Sequence, residues 1–126
     1  MQYMLMCCID ENHWHGLPQR ERDRVMQEYG TWIESIRASR NHVATGKLRP
    51  SATATTVRWR NGKPSVSDGP FAETKEMLGG ILILEAASKE EAIRLMTRHP
   101  GIKMGSFEIR PADEAFMAEH PVLKDI

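Results

Sequence analysis

Two short stretches of this chain are apolar at nearly every position: Gln2 to Ile9, and Gly79 to Ala87 around the run Ile81-Leu82-Ile83-Leu84. A strand sends alternate side chains to opposite faces, so runs like these read as central strands with apolar groups on both faces. Helical patterns follow each of them. From Pro18 to about Ser39, Val25, Met26, Tyr29, Trp32, Ile33 and Ile36 recur at spacings of three and four and form one apolar stripe. After the second run, Ser88-Lys89-Glu90-Glu91 reads as a capping box that starts a helix ending near His99-Pro100.

Between these two halves the spacing predicts a short strand, His42 to Thr45, and then a hairpin. Its arms are Thr53 to Arg60 and Lys63 to Ser67, and its turn is Asn61-Gly62, a pair suited to two successive positive φ angles. Ser106 to Arg110 reads as the last strand, and Ala112 to Ile126 as a tail with a short helix from Glu114. Asp10 to Leu17 reads as a loop, with Trp14 as a plug. Gly30 weakens the long helix, which suggests a close backbone contact there. The order is β-α-β-(hairpin)-β-α-β, a single α+β domain over 1–126 with both helices on one sheet face. A chain of this length has no third layer to spare, so the other face is expected to be apolar and covered by a second copy.

Lys plus Arg and Asp plus Glu both number 17. That balance gives no electrostatic case for nucleic acid or an anionic membrane as partner. No apolar run reaches the roughly 20 residues of a membrane helix, and no secretory leader is recognisable, so a cytoplasmic protein is the expectation. Cys7 and Cys8 are adjacent and point to opposite faces of a strand, which fits free thiols in a reducing compartment. His13 and His15 flank Trp14, but two histidines without a third ligand do not define a metal site, and no metal or cofactor is assigned.

The stretch Asp68-Gly69-Pro70-Phe71-Ala72-Glu73-Thr74-Lys75-Glu76 carries most of the chemical interest. Pro70 stiffens it, Phe71 is expected to anchor it in the core, and four ionisable groups crowd within it. In it, Asp68 and Glu73 are the candidate catalytic carboxylates. Arg49, Lys75, Tyr29 and His13 are the candidate substrate-binding groups. Each also has a plain structural reading. Asp68 suits a turn acceptor, Lys75 a surface ion pair, Arg49 a solvated charge, and Tyr29 a core residue in the helix stripe.

Those nine residues resemble the signature of the DGPF family, a branch of the YCII-related proteins. Pro50 to Val57, Leu78-Gly79-Gly80 and Gly105 to Pro111 fit as well, so the resemblance reaches to about Pro111. It implies a ferredoxin-like dimeric α/β barrel with the hairpin as an insertion. It also implies association with an extracytoplasmic-function sigma-factor system. Better-known YCII-related proteins carry a histidine in the first helix and an aspartate in an Asp-Pro pair after the second. Here Tyr29 falls near the first place and His99-Pro100 fills the second, so that acid–base pair is absent as such. His99 reads as a cation at a helix C-terminus, with a role as base the alternative. The resulting expectation is a small dimeric protein that binds a polar or anionic molecule beside Asp68–Glu76, with lyase- or isomerase-like acid–base chemistry as an option. The alternative is a non-enzymatic regulatory module.

Overall fold

The computed structural model describes residues 1–123 of the 126. The end of the expected tail, 124–126, lies outside the described residues. Strand β1 (Gln2–Ile9) is central and runs antiparallel to both neighbours, β5 (Met77–Glu85) and β6 (Phe107–Pro111). Strand β2 (His42–Lys47) flanks β5, so the four-stranded order is β2-β5-β1-β6. With the hairpin set aside, this is the strand order of the split βαβ sandwich, as the element order implies.

Register decides which face each residue joins. Tyr3, Leu5 and Cys7 alternate along β1 and pair with Leu84, Leu82 and Gly80 of β5. All but Gly80 are buried, beneath Trp32, Ile33 and Ile36 of α2 (Gln19–Ala38) and Ala92 and Met96 of α3 (Lys89–Thr97). The Trp32 indole N–H donates to the Leu95 carbonyl at 2.9 Å and ties the two helices together. The α3 cap forms in part as expected. The Ser88 hydroxyl accepts from the Glu91 N–H at 3.2 Å, but the Glu91 carboxylate reaches the Ala87 N–H instead of that of Ser88.

The opposite face is open. Met4 and Ile81, on its two central strands, are 43% and 38% exposed, and Val43 on the edge strand is exposed too. Burial on both faces, expected for β1 and β5, therefore does not hold within one chain. The apolar character expected of the uncovered face does.

The segment expected as a loop over Asp10–Leu17 contains a helix, α1 (Glu11–Gly16). Asp10 caps it by accepting the His13 N–H at 3.2 Å, and Glu11 complements its first turn. The Asp-Glu pair carried that signal.

The hairpin β3 (Thr55–Arg60) and β4 (Lys63–Asp68) forms its own two-stranded sheet. Asn61 and Gly62 both have positive φ, 52° and 75°, as the turn requires. Trp59 is 70% exposed and stands opposite Pro64 on the hairpin. Phe71 is 79% exposed and does not anchor its loop. Hydrogen bonds to its backbone pin that loop instead. The Gly69 N–H donates to Ala54 O at 2.7 Å, and Thr56 Oγ1 and Arg58 Nη2 donate to Gly69 O and Phe71 O. Gly30 makes no close approach, for a Cβ built there meets nothing within 4 Å. Gly105 does: its Cβ would sit 1.9 Å from Cys8 O. The final helix, α4 (Glu114–Glu119), begins where the sequence places it, capped by Asp113.

Candidate functional site

The C-terminal half of α2 packs on the sheet, while its N-terminal half leaves a gap beneath it. Trp32, Ile33 and Ile36 are buried, but Val25 and Tyr29 are only half-buried. The gap is a cavity of about 270 Å³, lined chiefly by apolar groups including Cys7, Trp14, Val25, Leu82 and Phe107. Trp14 of α1 thus borders the cavity, as a plug would. Two polar side chains reach it from the helix side: Tyr29 from α2, and His99 from the segment after α3.

His99 is 7% exposed and is ringed by aromatic side chains. Tyr29, Trp32 and Phe107 meet it edge-on, with ring centroids 4.9, 4.7 and 4.8 Å away. α3 ends at Thr97, and His99 caps the following 3-10 turn, Pro100–Lys103. Its Nδ1 accepts the Gly101 N–H at 2.9 Å. Burial pushes its pKa down to about 4, so the ring is neutral at pH 7. The expectation of a helix C-terminal cation is therefore overturned. Among the described residues no carboxylate compensates the lost hydration, and the Nδ1 lone pair is already engaged. In a neutral ring with Nδ1 as acceptor, the proton sits on Nε2.

Burial likewise raises the pKa of Tyr29, with Cys7 adding to the rise and Arg37 opposing it, so its phenol stays protonated at neutral pH. Cys7 is pushed up to about 11, first by burial and then by neighbouring Cys8, so it lines the wall as a thiol rather than as a nucleophile. At the cavity edge, the Lys47 ammonium donates to Leu48 O and Gly79 O at 2.8 and 3.0 Å. Lys47 went unnoticed in the sequence because a lysine on an edge strand carries no motif.

The candidates singled out in the sequence divide between places. Tyr29 enters the apolar cavity. Glu73 and Lys75 border a second, more polar hollow of about 270 Å³ with Glu11, Ser51 and Thr74. There the Glu11 carboxylate accepts the backbone N–H and the hydroxyl of Ser51, both at 2.9 Å. Asp68 ends β4 opposite Thr55, Arg49 follows β2, and His13 lies on α1; all three are exposed, and none lines either hollow. Among the described residues, no three His, Cys, Asp or Glu side chains come together as a metal site. No helix among them is long and apolar enough to cross a membrane.

Tyr29 and His99 stand ring to ring, with centroids 4.9 Å apart. His99-Pro100-Gly101 was the legible hint: a capping side chain, a proline suited to a first turn, and a glycine whose Cβ would come within 2.9 Å of the His99 ring.

Comparison with known proteins agrees with this architecture. The chain is 36% identical over 121 residues to the uncharacterized protein R00369 of Rhizobium meliloti strain 1021, covering 88% of this chain and 91% of that one. Its fold is similar to that of 5-chloro-2-hydroxyhydroquinone dehydrochlorinase from Burkholderia phenoliruptrix AC1100, solved in complex with 2,5-dihydroxybenzoquinone. The TM-score is 0.50 at 16% identity, over 90% of this chain and 94% of that one. That neighbour has the ferredoxin-like fold of the dimeric α/β barrels. Residues 1–114 match the YCII-related domain, and the chain belongs to that family.

Proposed function

We propose that this protein binds a small, largely apolar molecule in the cavity beneath α2, where Tyr29 and His99 meet it. The observation that carries this reading is the pairing of two neutral polar rings, 4.9 Å apart, at the wall of a chiefly apolar hollow. Pockets with an apolar body and few converging polar groups are the usual form of small-molecule sites. The volume suits a molecule of about one or two rings. Acid–base chemistry of lyase or isomerase type is the reaction class we favour. The fold neighbour's name, a dehydrochlorinase of a hydroxylated ring, supports it by analogy alone.

Thermal-shift screening with small aromatic ketones and phenols tests the location. Hits should stabilise the wild type and Lys75→Ala but not Val25→Trp, which fills the cavity. Hits lost in Lys75→Ala and kept in Val25→Trp would move the site to the polar hollow. That outcome is the second reading, a polar or anionic ligand beside the Asp68–Glu76 loop. Glu73, Thr74 and Lys75 at one wall of that hollow favour it.

The working unit we propose is a homodimer in which a second copy covers the open apolar sheet face. The Asp68–Glu76 motif supports a place in the DGPF branch. An interaction module of an extracytoplasmic-function sigma-factor system is the alternative to an enzyme. Val57, Val66 and Trp59, exposed on the hairpin, favour that alternative. Capture of a sigma factor by the wild type but not by Trp59→Ser would support it.

A further inference from the structure

We propose that His99 serves the cavity as a fixed hydrogen-bond donor through Nε2–H, so that the occupant is an apolar ring bearing an oxygen acceptor, a ketone, quinone or phenolate oxygen. This rests on the cavity reading above and adds the direction of the hydrogen bond. It also removes His99 from the role of general base.

Three observations carry it. The Gly101 N–H is spent on Nδ1, at 2.9 Å, and that bond caps the 3-10 turn behind the ring. A proton on Nδ1 would set two donors against each other and undo the cap. Nε2 is then the ring nitrogen that carries hydrogen. No hydrogen bond engages Nε2 among the described residues. The fully buried side-chain polar atom without a partner there is Arg22 Nε, so Nε2 is unpartnered yet accessible, on a side chain that lines the cavity.

The surroundings keep the ring neutral. Tyr29, Trp32 and Phe107 pack against it, and none is charged at neutral pH. Cys7 faces the same cavity as a thiol. A buried, unpartnered donor is costly, and an occupant with a matching acceptor removes that cost. An occupant offering only donors does not. The Tyr29 phenol, also protonated, reaches the cavity beside it, so both polar groups can donate to an oxygen. In a low-dielectric hollow, two such donors stabilise negative charge that develops on that oxygen.

The test uses two ligands of nearly one shape, 1-tetralone, which has the carbonyl oxygen, and tetralin, which lacks it. Tetralin binding reports the cavity alone; the ratio of the two affinities reports the donor. Nitrogen-15 NMR of the histidine rings in the full chain should show His99 as the neutral Nε2–H tautomer at pH 6. 1-Tetralone should bind about tenfold more tightly than tetralin and shift the Nε2 resonance. The preference should vanish in His99→Phe, which keeps the ring, and return in part in His99→Gln, which restores a donor. An Nδ1–H tautomer, a charged ring at pH 6, or equal affinities would overturn the donor while leaving the cavity reading intact. Binding of neither compound would overturn both.

Discussion

The Gly101 N–H donates to Nδ1 of His99 at 2.9 Å, two residues back along the chain and inside a ring of three aromatic side chains. This local cap fixes the tautomer of a buried ionisable group that lines the cavity. It also couples the site to the stability of the fold.

Stability should therefore depend on the protonation of His99. Its folded pKa lies near 4, below the ordinary 6.5, because burial disfavours the charged ring. Above pH 6.5 neither state is protonated there, and the group contributes nothing. As pH falls from 6.5 towards 4, the unfolded chain takes up a proton that the folded chain refuses, so stability is lost across that window. The full loss is about 3 kcal/mol, and most of it should be spent by pH 5. Urea denaturation at pH 7 and pH 5 checks this. The difference between those pH values should shrink by about 2 kcal/mol in His99→Phe.

Gly101→Ala should disturb the site from behind. The added Cβ would lie 2.9 Å from His99 Cε1, 3.0 Å from Nδ1 and 3.2 Å from Phe107 Cζ. Both rings belong to a packed aromatic cluster, so the clash is expected to cost about 1–3 kcal/mol. The histidine tautomer signal should broaden or shift in the same variant.

Two other glycines should respond in opposite senses to the same added methyl. At Gly30, inside α2, a Cβ meets nothing within 4 Å, and Gly30→Ala should stabilise the protein by about 0.5–1 kcal/mol. At Gly105 the Cβ would fall 1.9 Å from Cys8 O, so Gly105→Ala must pull apart the β1–β6 edge. We expect little folded Gly105→Ala protein; thermal melts and soluble yield check the pair.

A charge on the open sheet face should break the proposed dimer without unfolding the subunit. Met4 and Ile81 lie on adjacent central strands and present that face. Ile81→Lys leaves the helix-side core of Leu5, Leu82 and Leu84 untouched. Sedimentation velocity should show wild-type dimers and Ile81→Lys monomers with a near-native circular dichroism spectrum. A wild type that sediments as a monomer would refute the arrangement.

The amino-acid order alone carried the scaffold. Periodicity in Tyr3–Cys7 and in Trp32–Ile36, the Asn61-Gly62 turn and the Ser88 cap are local devices. Each acts within a few residues, so each is readable without knowing what packs against it. Even the open face was legible, because two apolar runs supply more apolar surface than two helices can cover.

Tertiary structure alone decided where chemistry can happen. Phe71 was expected inside because it is apolar, but hydrophobicity does not say whether the core has room for it, and here hydrogen bonds to its backbone, two of them from the Thr56 and Arg58 side chains, hold the loop instead. His99 was expected to be charged because helix ends favour cations. Its actual state follows from three rings brought in from Tyr29, Trp32 and Phe107, and from the Gly101 N–H. Burial and hydrogen-bond partnership set the proton on an imidazole. In this protein both depend on residues that only folding brings together.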